Sequence, residues 1–139
     1  MERRLPIGIQ SFEKIRRDGF VYVDKTAHVW RLVRAGVPVF LSRPRRFGKS
    51  LLVSTMRAYF EGRRELFAGL DIEVLEEGAA AREGREPWVA RPVLSLSFNG
   101  ADYTREGGLE RKLDAMLRDL EERWGDDRAD LAAWPRSSA

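Results

Sequence analysis

The stretch Arg43-Pro44-Arg45-Arg46-Phe47-Gly48-Lys49-Ser50 constrains this chain more than any other. Ahead of it, Val37 to Leu41 is a compact apolar run that reads as a strand, with Pro38 near the start, where no ladder donor is yet required. Behind it, Leu51, Leu52, Thr55, Met56, Tyr59 and Phe60 recur at a helical period that stops near Gly62. Strand, basic turn and helix in that order are what a phosphate-binding loop (P-loop, or Walker A motif) requires. Gly48 lets the backbone approach a phosphate with no Cβ in the way. Lys49 supplies a point charge for the β- and γ-phosphates, and the Ser50 hydroxyl is a ligand for Mg²⁺. A helix beginning there also aims free N–H groups and its positive dipole end at the same anion. The reading is a nucleoside-triphosphate site.

One consensus residue differs. Arg43 stands where the first glycine of the motif is expected, and arginine resists the positive-φ conformations that glycine accepts. Either the loop enters its turn differently or the nucleotide site is degraded. Arg45 and Arg46 admit three roles: contact with a triphosphate, an edge for nucleic acid, or a solvated basic loop tip. The plain alternative for the whole motif is a Gly-Lys-Ser that merely starts a helix capped by Ser50.

The rest of the chain sets the frame. Its 139 residues suit one domain with a real core, 43% of them being hydrophobic. Cysteine is absent, which excludes disulfides and thiolate metal sites, and the single histidine, His28, cannot build a multi-histidine centre. A formal net charge of +3 suits an anionic ligand and is weak support for nucleic acid. No apolar run reaches the length of a membrane span, and Pro6 and Gly8 interrupt any signal-peptide core, so a soluble, cytoplasmic protein is expected.

Ser11 is placed as an N-cap before a short helix from Phe12, and Phe20 to Val23 as a short strand. Asp24 or Thr26 caps a helix to about Arg34 that Gly36 stops. Residues 71–91, rich in Glu, Ala, Arg and Gly, read as an exposed connection. Pro92 opens a second strand through Phe98, with Leu94, Leu96 and Phe98 on one face. Glu106 to Trp124 is the clearest helix, striped by Leu109, Leu113, Met116, Leu117, Leu120 and Trp124, and Gly125 ends it.

Several of these segments together resemble the AAA-ATPase-like family of prokaryotic P-loop proteins. They are Leu5-Pro6-Ile7-Gly8-Ile9-Gln10-Ser11-Phe12-Glu13-Lys14-Ile15-Arg16, then Tyr22-Val23-Asp24-Lys25-Thr26, then Ser42 to Leu51. Tyr59-Phe60-Glu61-Gly62, Glu65-Leu66-Phe67 and Pro92-Val93-Leu94 continue the likeness, which covers residue 5 to about 124. An Arg-Pro-Arg-Arg-Phe-Gly-Lys-Ser loop is usual in that family. The resemblance implies ATP binding at Arg45, Arg46, Phe47, Gly48, Lys49, Ser50 and Leu51, with Mg²⁺ at Ser50. It also implies an ATPase of the AAA type, whose longer members carry a C-terminal nuclease-like domain. Asp24-Lys25-Thr26 either borders the nucleotide or forms a strand end and helix cap.

Hydrolysis also needs an acidic residue at the end of an apolar strand. The candidate strand here ends Leu96-Ser97-Phe98-Asn99, with no carboxylate, and the family's acidic motif lies downstream of this chain. The expected fold is therefore α/β, an incomplete P-loop NTPase with a parallel sheet flanked by helices. Residues 1–125 would form the N-terminal part of that domain and 126–139 a frayed tail. Two or three strands cannot cover both faces of such a sheet, so exposed apolar surface and association with itself or a partner protein are expected. The alternatives are a non-catalytic remnant or interaction module, and a basic nucleic-acid-binding fragment.

Overall fold

The protein is described here by a computed structural model for residues 4–98 and 104–124, and its chain divides between Val93 and Leu94 into two units. The first unit holds α1 (Phe12–Arg17), α2 (Thr26–Arg34), α3 (Lys49–Phe60), a 3₁₀ turn (Arg64–Phe67) and α4 (Asp71–Glu83). The second holds α5 (Gly108–Trp124).

Ser11 caps α1 as its sequence suggests, its side chain accepting the Lys14 N–H at 3.3 Å. A six-residue helix is far too short to stand alone, so packing decides. Phe12 and Ile15 are fully buried, and each such burial contributes about 1.5–3 kcal/mol against about 1 for the cap. Ser54 on α3 fixes the approach: its Oγ accepts the Phe12 N–H at 3.0 Å and lies 3.2 Å from the Gln10 carbonyl. Arg16 then ties α1 to the 3₁₀ turn, donating to the Leu66 and Ala68 carbonyls at 2.8 and 2.7 Å. Phe12, Phe67 and Trp88 stack in sequence, with ring centroids 4.8 and 5.2 Å apart.

Asp24-Lys25-Thr26 is a clasp. One Asp24 oxygen accepts the Thr26 N–H at 2.9 Å and its hydroxyl at 2.6 Å, and the other accepts the Asp71 N–H at 2.8 Å. Thr26 Oγ1 in turn accepts the Ile72 N–H at 3.1 Å. The starts of α2 and α4 are thereby capped by one pair of side chains forty-odd residues away in sequence from α4.

The expected parallel sheet is not there. Among the described residues no strand is formed, and the fold is helical. The runs Phe20–Val23, Val37–Leu41 and Pro92–Phe98 carry β-branched and aromatic residues, but such composition marks fitness for a pleated surface and supplies no pairing partner. Tyr22 instead packs against the helical core, while Val37, Phe40 and Leu41 stay in water, Phe40 at 91%. Residues 71–91 also depart from the expected exposed connection, because α4 spans Asp71–Glu83. Its buried face is Ile72, Glu76, Ala79 and Ala80, a carboxylate and two small residues in place of an apolar stripe. In α5 the structure agrees with the sequence: Leu113, Met116 and Leu120 are half-buried, and Leu109 and Leu117 are exposed. Asn99, Gly125 and the 126–139 tail lie outside the described residues.

The segment after α4 returns to α3 through Gly62. With φ at +71°, a Cβ there would sit 2.5 Å from the Trp88 carbonyl oxygen and 3.0 Å from the Ala90 nitrogen. Gly62→Ala is expected to lower stability by about 2 kcal/mol or more, read from urea unfolding, because both the backbone conformation and the contact oppose it. The clasp makes a second prediction. Burial pushes the Asp24 carboxyl up, but hydrogen bonds from Thr26 and from the Asp71 and Thr26 N–H groups outweigh it, and its pKa is lowered. A lowered folded pKa gives stability that is present above the unfolded value and lost as pH falls through the folded one. Asp24→Ala should cost about 1–2 kcal/mol at neutral pH, with the deficit shrinking as the medium is made acid. A deficit that stays constant down to pH 2 would contradict the clasp.

Candidate functional site

The loop leading to α3 is built differently from the rest of the first unit. Every residue from Val37 to Ser50 is exposed. Arg45 and Arg46 form the turn, with Arg46 at φ 69° and Gly48 at φ 79°. Gly48 is the N-cap of α3 and offers no side chain, so nothing local covers the helix end. The first bond of the helix runs from the Leu52 N–H to the Gly48 carbonyl at 2.9 Å. Among the described residues, the N–H groups of Lys49, Ser50 and Leu51 therefore meet no acceptor.

The side chains add to this. Arg43, Arg45, Arg46, Lys49 and Ser50 make no ion pair or side-chain hydrogen bond among the described residues, in a molecule where other arginines bind carboxylates repeatedly. No Asp or Glu occurs anywhere from Lys25 to Phe60, while that stretch carries eight Lys and Arg residues. That charge asymmetry is a sequence signal stronger than the net charge of the whole chain. Three uncapped amides, an ammonium and three guanidinium groups thus gather on and just before the first turn of one helix, the kind of groups that attract an anion.

Arg43 is not strained. Positive φ among non-glycine residues falls on Arg46 and Trp88 only, within the described residues, so the loop enters its turn without needing glycine at position 43. The left-handed residue has moved to Arg46. Phe47 projects into solvent at 67% exposure. Leu51 is half-buried against the core, so its N–H and not its side chain is available to a ligand. Asp24 spends both oxygens on the clasp described above.

For a divalent cation the fit is partial. Among the described residues no group of three or more His, Cys, Asp or Glu could hold one. Ser50 offers one exposed hydroxyl in the first turn of α3. That suits Mg²⁺, which commonly takes one or two protein ligands and completes its shell with phosphate oxygens and water. It does not suit a metal held by protein alone. Ser54, one turn further along α3, was not singled out by motif. It anchors the 10–12 segment to the helix that carries the loop, and only its spacing of four from Ser50 marked it.

Fold and loop together define a helical module with an uncapped, cationic helix N-terminus for an anion. The chain belongs to the AAA-ATPase-like family, whose description, "Predicted AAA-ATPase", matches residues 6–138. It is 43% identical over 117 residues to an "Uncharacterized protein in vnfD 5'region" of Azotobacter chroococcum mcd 1. That match takes in 83% of this chain and 21% of the relative, so the chain spans about a fifth of that protein's length. No solved structure matches. No helix among the described residues is long and apolar enough to cross a membrane.

The two left-handed residues of the loop should respond in opposite directions. Gly48→Ala is expected to lose about 1 kcal/mol of stability, whereas Arg46→Gly should gain roughly 0.5–1 kcal/mol by releasing a disfavoured φ. Urea titration of both variants checks this, and equal losses would mean that Arg46 does not hold the left-handed conformation in solution.

Proposed function

We propose that this chain is an ATP-binding module in which the loop Arg45 to Leu51 holds the triphosphate. The observation that carries the reading is the uncapped N-terminus of α3, with the Lys49, Ser50 and Leu51 amides free beside the unpaired Lys49, Arg45 and Arg46 side chains. Lys49 neutralises the outer phosphates, and the two arginines add charge from the turn. Ser50 supplies the one protein oxygen for Mg²⁺ carried in with the nucleotide. Family membership supports ATP over other anions.

Hydrolysis is a separate matter. The acid-free stretch from Lys25 to Phe60 places no carboxylate in the loop or on α3 to orient water. The role assigned to this chain is binding, and water activation falls to a carboxylate from elsewhere in a longer protein or assembly.

Titration calorimetry with Mg²⁺–ATP tests the reading. The full chain should bind saturably, and Lys49→Ala should bind about ten-fold more weakly or worse, the effect of removing one charge-assisted hydrogen-bond donor. Circular dichroism should be unchanged, since the Lys49 side chain is exposed. A folded wild-type chain that fails to bind, or a variant that binds equally well, would sink the proposal.

A further inference from the structure

At the opposite end of α3 from the loop, the first unit opens into a cleft of about 220 Å³. With twelve residues at 1.5 Å each, α3 sets the two ends about 18 Å apart. The cleft's charged lining comes from Arg34, Arg85, Arg91 and Glu76, and its flat lining from Tyr59, Phe60 and Trp88.

The charges do not cancel. Glu76 takes Arg85 at 2.6 Å, and Glu83 takes both Arg34 and Arg85, so the two carboxylates are committed to two arginines. Arg91 is left over. Its side chain makes no hydrogen bond or ion pair among the described residues, although its backbone is held, the N–H donating to the Phe60 carbonyl at 2.7 Å. One unmet positive charge thus stands at the rim of an aromatic-walled cleft.

Trp88 carries two further anomalies. Its φ is +58°, a conformation costly for a bulky residue, and its carbonyl oxygen passes close over Gly62. Its indole Nε1 is also the only buried side-chain nitrogen or oxygen among the described residues with no hydrogen-bond partner. The buried indole nitrogen is out of a ligand's reach, so what Trp88 offers the cleft is its ring, and the same nitrogen makes it a reporter of the site.

We propose that this cleft binds a small aromatic monocarboxylate. The carboxylate pairs with Arg91, and the ring lies among Tyr59, Phe60 and Trp88. The volume falls below the 300–1,000 Å³ usual for drug-sized ligands, which favours a single ring over a nucleotide. A single net positive charge calls for a single negative one. The site stands apart from the phosphate loop and does not depend on the ATP reading.

Benzoate is the probe, with benzyl alcohol as its uncharged counterpart, each titrated into the full chain with the assigned indole N–H signals followed by NMR. Benzoate should shift the Trp88 signal saturably, benzyl alcohol should not, and Arg91→Ala should weaken benzoate about ten-fold or more. Arg91→Lys should recover part of the affinity, and Lys49→Ala should leave it unchanged. Absence of a saturable Trp88 shift, an equal response to benzyl alcohol, or undiminished binding by Arg91→Ala would each overturn the proposal.

Discussion

The first unit is organised around one carboxylate. Glu76 is only 2% exposed, and its oxygens accept Trp30 Nε1 from α2, the Tyr59 hydroxyl from α3 and Arg85 from the segment after α4. Burial works against its charge, but those hydrogen bonds outweigh burial and hold its pKa below the usual carboxylate range. The same contact, added to burial, pushes the Tyr59 hydroxyl up to about 12. Buried ion pairs are often no more stabilising than apolar residues of the same volume, so the free energy of folding comes mainly from Phe12, Ile15, Phe67 and Ile72. What Glu76 adds is arrangement. An apolar residue in its place would leave Trp30, Tyr59 and Arg85 without their acceptor, and removal of a buried partner of this kind costs about 3–5 kcal/mol.

That dependence explains which parts of the fold were legible in the sequence. Helix stripes that are apolar announced themselves: α3 ends at Phe60 as its period indicates, and α5 forms where its stripe lies, with Leu113, Met116 and Leu120 half-buried. Ser11 announced α1, and of the two caps the sequence offered for α2 it is Asp24 that accepts the Thr26 N–H. α4 was illegible because its inner face is Ile72, Glu76, Ala79 and Ala80, and burial of a glutamate depends on donors 9 to 46 residues away that no local pattern displays. The sheet was read wrongly for the opposite reason. Phe20–Val23 and Val37–Leu41 have strand composition, yet a strand is a property of two segments: among the described residues Phe20–Val23 makes one bond of that kind, from the Val21 N–H to the Arg4 carbonyl at 2.9 Å, and Val37–Leu41 makes none. The family was legible in the loop and the segments around it. The loop's geometry was not, since nothing in Arg45-Arg46 says that the left-handed residue would be Arg46 in place of a glycine at 43.

The functional loop and the packed core divide α3 between them. From Thr55 onward the helix is committed to the core, with Thr55 and Ala58 buried and Tyr59 bonded to Glu76. In its first turn Leu51 and Leu52 already lean on the core, but the Lys49 and Ser50 side chains and the uncapped amides meet no partner among the described residues, and they sit where they cost the fold least. An exposed amide is solvated by water, so leaving it uncapped forgoes about 1 kcal/mol of capping and not the larger penalty of a buried orphan. Ser54 marks the changeover, since it is the first α3 side chain to bind another segment.

Openness also limits what the loop can do. The side chains of Arg45, Arg46, Phe47, Lys49 and Ser50 are all in water, as is the apolar run Val37–Leu41 that leads to them. At physiological salt, charges screen over about 8 Å, so attraction between these cations and a phosphate tail is real but strongly salt-dependent. Transition-state stabilisation in phosphoryl transfer draws its strength from a site that excludes water and presents fixed dipoles to the developing charge. This loop presents the dipoles but excludes nothing. On the proposed ATP reading the loop is a binding element, and catalysis requires a surface that closes over Arg45 to Ser50, bringing the carboxylate that the loop lacks.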